Sequence, residues 1–142
     1  LATRGDQTAI IWEPDSPDED AQHISYRALH AKTCKMANIL RDIGVGKGDR
    51  VIIYMPMVTE SLVAMLACAR IGAVPSVVFG GFAAHELAVR IDDATPKAII
   101  AGSCGIEPGR VVHYKPLLDG AIEMATHKPD FTVIFQTVTD FN

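Results

Sequence analysis

The chain is poor in cysteine, in basic residues and in unbroken apolar sequence, and each shortage removes a class of protein. Three cysteines, Cys34, Cys68 and Cys104, are odd in number, far apart and set among apolar or small residues. They build neither a disulfide framework nor a metal cluster, and reduced thiols in an intracellular compartment, cytoplasm or mitochondrial matrix, are expected. Thirteen Lys and Arg face seventeen Asp and Glu, a formal charge of -4, which is not the balance of a nucleic-acid-binding surface. The longest apolar stretch, Val58 to Val78, contains Glu60, Arg70, Gly72 and Pro75. It reads as a core helix followed by a strand, so no membrane span is expected.

Several chemical signatures are missing as well. There is no G-x-G-x-x-G and no glycine-rich loop ending in Lys-Ser/Thr, so neither a dinucleotide fingerprint nor a P-loop is present. His85-Glu86 resembles the start of a zinc-protease helix, but the second histidine would fall at Val89. His30 and Cys34, four apart on one helix face, supply two ligands where zinc wants four. No Ser-His-Asp set can be assembled, so no catalytic residue and no metal ligand is assigned.

What is present suits one globular core: 49% hydrophobic and 21% charged residues over 142 positions. Residues 1–142 are read as a single segment. The start at Leu1 and the stop at Phe141-Asn142 suggest a piece of something longer. Thr8–Glu13 is expected as a strand, and 14–22 as an acidic surface loop, with Asp15, Asp18, Glu19 and Asp20 among prolines. Ser25 is placed to cap a helix carrying Leu29, Cys34, Ala37, Ile39 and Leu40 at helical spacing, which GVGKG (44–48) ends. Asp49–Met55 has the continuous apolar centre of a strand buried on both faces. A helix over 59–71, apolar almost all round and expected to show little exposed surface, stops at Gly72; a strand follows over 74–79.

A helix near 84–93, a strand over 98–101, a loop over 102–110, a helix near 116–126 and a strand over 131–135 complete the pattern. Regular alternation of strand and helix predicts an α/β fold: a partial doubly wound, mostly parallel sheet with flanking helices. Ligands of such sheets gather beyond the carboxyl ends of the strands, where the turn at Met55-Pro56, the pair Gly80-Gly81 and the 102–110 loop fall. The adjacent glycines serve either a tight strand-to-helix turn or a bare wall along which a thin ligand passes. Arg110, after Pro108-Gly109, is either a solvated cation or a bidentate phosphate ligand. Cys104, with no base beside it in the loop, is read as a small buried or half-buried thiol.

Three stretches, ISYRALHAKTCKMANILRDIGVGKGDRVIIYMPM, AMLACARIGAVPSVVFGGFAAHELAVRIDDATPKAII and SCGIEPGRVVHYKPLLDGAIE, together resemble the N-terminal part of the large, AMP-binding domain of short-chain acyl-CoA synthetases. The third is similar to the propionyl-CoA synthetase branch rather than the acetate branch. The resemblance covers roughly residues 5–136. It implies an ATP-dependent ligase that joins a short-chain carboxylate, propionate ahead of acetate, to coenzyme A through an acyl-adenylate, with ATP and Mg²⁺ held by motifs absent from this segment. By the same resemblance Gly80 and Gly81 line the pantetheine channel, Phe79 flanks it, and Arg110 lies near the CoA 3′-phosphate. Glu107 stands where acetate-type relatives carry a second arginine, Ala83 where many carry serine, and Pro75 where histidine is frequent. A truncated, non-catalytic interaction paralogue and a nucleotide- or flavin-binding module are the alternatives.

Overall fold

Alternation in one strand organises the molecule. In the computed structural model, which describes residues 1–14, 16–107 and 110–136, Val51, Ile52, Ile53 and Tyr54 are all fully buried. Successive side chains of a strand point to opposite faces. Val51, Ile53 and Met55 accordingly join one core with Ala37, Leu40, Ala64 and Cys68, while Ile52 and Tyr54 join another with Leu87, Ile91 and Leu118. The single strand therefore separates two helical layers, as expected for a doubly wound fold.

In chain order, β1 (Thr8–Trp12) and β2 (Gln22–Ser25) form an antiparallel hairpin, followed by α1 (Tyr26–Asp42), β3 (Arg50–Met55), α2 (Thr59–Ile71), β4 (Val74–Phe79) and α3 (Ala84–Ala94). Then come β5 (Ala98–Gly102), a second antiparallel hairpin of β6 (Cys104–Glu107) and β7 (Arg110–His113), α4 (Tyr114–Met124) and β8 (Phe131–Phe135). The main sheet has the order β4-β3-β5-β8 with every pair parallel. Its helices divide by core: α1 and α2 supply the first, α3 and α4 the second.

The local signals act as their chemistry requires. Ser25 accepts a hydrogen bond at its hydroxyl from the Ala28 amide, 3.2 Å away, and so caps α1. Gly72 ends α2 at φ +76°, in the left-handed region where glycine carries no Cβ penalty. Within the GVGKG turn the Gly46 amide donates to Asp49 at 2.8 Å, and Lys97 lies 3.5 Å from the same carboxylate. The Gly46 amide, opposed by some desolvation and helped by Lys97, holds the Asp49 carboxyl below its ordinary range. Pro75 lies on β4, an edge strand, where a missing amide leaves no ladder partner unsatisfied.

The structure corrects four expectations. Gln22 to Ser25 is a strand paired with β1 rather than loop and helix approach; four polar-rich residues carry too little periodicity to declare it. The 102–110 loop is a hairpin apart from Pro108 and Gly109, which lie outside the described residues, as does Asp15 of the acidic loop. α4 begins at Tyr114, two residues early, since proline is tolerated in a first helical turn and Pro116 sits there. Finally, α2 is not buried all round: Leu62, Met65 and Leu66 are exposed while Val63, Ala64, Ala67 and Cys68 face the core. Burial of Cys68 pushes its thiol up to about 11, which leaves it a packing group and not a nucleophile.

Ala83 occupies the N-cap of α3 in extended geometry (φ -61°, ψ 157°) and offers no side-chain bond, while the Leu87 amide already donates to the Ala83 carbonyl at 3.1 Å. Glu86 sits at the third helical position, so a hydroxyl at 83 would complete a capping box. Ala83→Ser is expected to stabilise the protein by about 1 kcal/mol, read as a higher melting temperature; an unchanged or lower value would count against an empty cap.

Candidate functional site

β3 connects through α2 to one edge of the sheet, and β5 connects through the second hairpin and α4 to the other edge. Connections that diverge in this way open a crevice between the carboxyl ends of the two strands. Here an aromatic ring occupies it. Tyr114 is 3% exposed, and its ring centroid lies 5.1 Å from that of Tyr54 at an interplanar angle of 40°. A Cβ placed on Gly102, at the end of β5, would come within 3.0 Å of Pro56 Cδ and 3.6 Å of Tyr114 Cδ2. Strand ends and ring are thus in close contact.

The glycine pair closes over the same ring. A Cβ on Gly80 would lie 2.7 Å from the Met55 carbonyl oxygen and 2.9 Å from the Tyr114 hydroxyl. Gly80 is therefore required by the approach of β3 and Tyr114, whatever else passes beside it. Gly81 adopts φ +125°, a conformation that side-chain-bearing residues rarely take. Tyr54 donates from its hydroxyl to the Phe82 carbonyl at 2.9 Å, tying the turn to the end of β3. Burial raises the Tyr54 pKa, with the Gly81 backbone opposing.

Beyond the turn, Phe82 packs edge-on to Phe79, 5.8 Å between centroids, and the Arg90 guanidinium carbon stands 4.4 Å above the Phe82 ring. Phe82 belongs to the second core; Phe79 is 67% exposed. The β1 hairpin reaches this end too, through the Trp12 indole N–H, which donates to the Met57 carbonyl at 2.9 Å.

Arg110 opens β7 and pairs in register with Glu107 at the hairpin tip. Its backbone environment is a short ladder, not the free loop expected. Gly105, one strand over, is pressed against the Tyr114 hydroxyl, leaving no room for a Cβ. From the pair Gly105 and Val112 to the pair Glu107 and Arg110 is two residues, about 7 Å along a strand. Phe79, Gly80 and Gly81 on the turn and Arg110 on the hairpin consequently share the carboxyl end of the sheet, and Tyr114 touches the base of both segments. Cys104 is buried.

Tyr54 and Tyr114 were not legible as site residues. The signal that could have found them is the recurrence of glycine at 80, 102 and 105, of which Gly105 is made necessary by the Tyr114 ring and Gly80 by that ring together with Met55. A separate cleft of about 420 Å³, lined by Leu1, Tyr26, Leu29, His30, Thr33, Leu66 and Arg70, lies against the later part of α2, away from these strand ends. Among the described residues no group of three His, Cys, Asp or Glu is placed to hold a metal ion, and no helix is long and apolar enough to cross a membrane.

The family model for AMP-binding enzymes matches residues 1–138. The chain belongs to this family. It is 58% identical over 134 residues to an uncharacterised protein of Pseudomonas aeruginosa, covering 94% of this chain and 21% of that protein. It is 58% identical over 123 residues to an acetyl-coenzyme A synthetase of Methylobacterium radiotolerans and 52% identical over 124 residues to one of Xanthomonas campestris, in each case covering 87% of this chain and 19% of the relative. The chain thus spans about a fifth of the length of these curated relatives. The sheet described above is accordingly the N-terminal part of an adenylate-forming domain.

Two of the three atoms that a Gly80 side chain would meet belong to the Met55 backbone, which cannot rotate out of the way. Gly80→Ala in the protein that contains this segment is expected to lower stability by about 1–3 kcal/mol, measured as a lower urea midpoint at unchanged slope. A midpoint equal to that of the unmodified protein would show that the turn is looser than its geometry.

Proposed function

We propose that the protein of which this chain is a part is an ATP-dependent, AMP-forming acid-thiol ligase acting on a short-chain carboxylate, propionate ahead of acetate. A carboxylate oxygen attacks the α-phosphorus of ATP and pyrophosphate leaves; the CoA sulfur then attacks the acyl carbonyl and AMP leaves. The observation that carries this reading is the match of residues 1–138 to AMP-binding enzymes, joined to more than 50% identity with acetyl-coenzyme A synthetases over 87% of the chain. The preference for propionate rests on the 103–123 sequence alone.

The segment's part in this reaction is on the coenzyme side. Phe79 offers an exposed ring, Gly81 an exposed stretch of bare backbone in a conformation favouring glycine, and Arg110 an exposed guanidinium at a hairpin tip. A guanidinium suits a phosphate because its planar fork can donate two parallel hydrogen bonds. Gly80 contributes by letting the turn lie close to β3. The carboxylate, ATP and Mg²⁺ are assigned to parts of the protein outside this chain, and the segment alone is proposed to be inactive. An intracellular setting, cytoplasm or mitochondrial matrix, belongs to the same proposal, with the odd number and wide spacing of Cys34, Cys68 and Cys104 in keeping with it.

The test is carboxylate-dependent exchange of labelled pyrophosphate into ATP, followed by thioester formation on adding CoA, using the complete protein and this segment in parallel. Exchange with propionate exceeding that with acetate is expected from the complete protein, and none from the segment. A complete protein that supports no exchange with any short-chain acid would overturn the ligase reading. Exchange that favours acetate would overturn only the choice of substrate.

A further inference from the structure

We infer that Tyr114 is a positioning residue that sets the distance between the glycine turn and the Arg110 hairpin, and through that distance the affinity for the phosphate-bearing thiol substrate. The inference rests on the ligase reading above, but its mechanical part does not. Tyr114 lies at the foot of both segments: its hydroxyl is against Gly80 of the turn and against Gly105 of the hairpin, and its ring edge is against Gly102 between them. At Gly105 the tyrosine alone excludes a side chain, since every near neighbour of an added Cβ belongs to it; at Gly80 the Met55 backbone and the tyrosine hydroxyl exclude one together.

The ring is itself held on two further sides. Tyr54 stacks against it at 5.1 Å and bonds the turn at the Phe82 carbonyl. The backbone amide of Tyr114 donates to the Ser103 carbonyl at 3.0 Å, which joins the start of α4 to the start of the hairpin. Ser103 in turn donates from its amide to Phe135 at the end of β8, 2.9 Å away. Packed between the turn and the hairpin, the tyrosine is the part that sets how far Arg110 stands from Phe79 and Gly81. Being buried, Tyr114 acts through the segments it separates and not by touching substrate.

The measurement is steady-state kinetics of the complete protein bearing Tyr114→Leu, Tyr114→Phe, Gly105→Ala or the double change Gly105→Ala with Tyr114→Phe. Because misplacing a binding group by about 1 Å can cost up to about a hundredfold, Tyr114→Leu and Gly105→Ala are each expected to raise the KM for CoA about tenfold. Pyrophosphate exchange, which precedes CoA, should stay within about twofold of the unmodified protein, as expected for a residue that matters only to the second step. Tyr114→Phe keeps the ring but gives up the hydroxyl that lies against both segments, and should raise the KM for CoA by less than Tyr114→Leu does; in the double variant, where the ring Cζ still lies within 2.8 Å of the added Cβ, the Gly105→Ala defect should be relieved in part.

A Gly105→Ala effect that Tyr114→Phe does not relieve, or losses that fall equally on exchange and on CoA use, would overturn the inference. If the unmodified protein makes no thioester, the ligase reading fails by itself, and amide hydrogen exchange still decides the mechanics. Residues 104–106 and 111–113 should exchange faster in Gly105→Ala and regain part of their protection in the double variant; unchanged protection in Gly105→Ala would refute the coupling.

Discussion

Close contact between one tyrosine ring and three stretches of bare backbone governs the carboxyl end of this molecule. Tyr114 occupies the crevice that a doubly wound sheet opens between its diverging strands; Gly80 and Gly105 give way to its hydroxyl, and Gly102 lies in ordinary contact with its ring. Tyr54 completes the arrangement from the neighbouring strand, with its ring on Tyr114 and its hydroxyl on the glycine turn. Aromatic pairs at this separation contribute about 0.5–1.5 kcal/mol beyond the area they bury. Their larger effect is geometric, because packing that leaves no void transmits the position of one segment to the next.

The rest of the fold supplies the level platform on which that contact depends. Tyr54 pairs with Val78 on one side and Ala101 on the other, so the three strands end side by side. The split of β3 side chains between two cores keeps them so: Val51, Ile53 and Met55 hold α1 and α2, and Ile52 and Tyr54 hold α3 and α4. Displacing β3 by one residue would exchange the two sets and put Tyr54 on the wrong face. Site geometry and core packing are for this reason the same constraint.

Most of the fold could be read from the sequence because it rests on local signals: the Ser25 cap, the Gly72 stop, the apolar run of 51–55 and the periodicity of 84–91. What escaped was encoded at a distance. The β6 and β7 hairpin carries no strong alternation, and β2 is four residues long. The reason for Gly80 was weighed as turn or channel wall; its nearest neighbours, Met55 and Tyr114, are 25 and 34 positions away, and no spacing rule connects them. Phe79, Gly81 and Arg110 were placed at the correct end of the sheet by strand order alone. Their relation to one another needed a ring that the sequence presents only as the residue after a histidine.

The coupling of the two tyrosines is open to direct measurement by a double-mutant cycle in the complete protein, comparing Tyr54→Leu, Tyr114→Leu and both together for stability to denaturant. Residues in packed contact show interaction energies of about 0.5 kcal/mol or more, and a coupling of at least that size is predicted. Strictly additive losses would contradict the account, since they would mean that the turn held by Tyr54 and the hairpin held by Tyr114 are positioned independently.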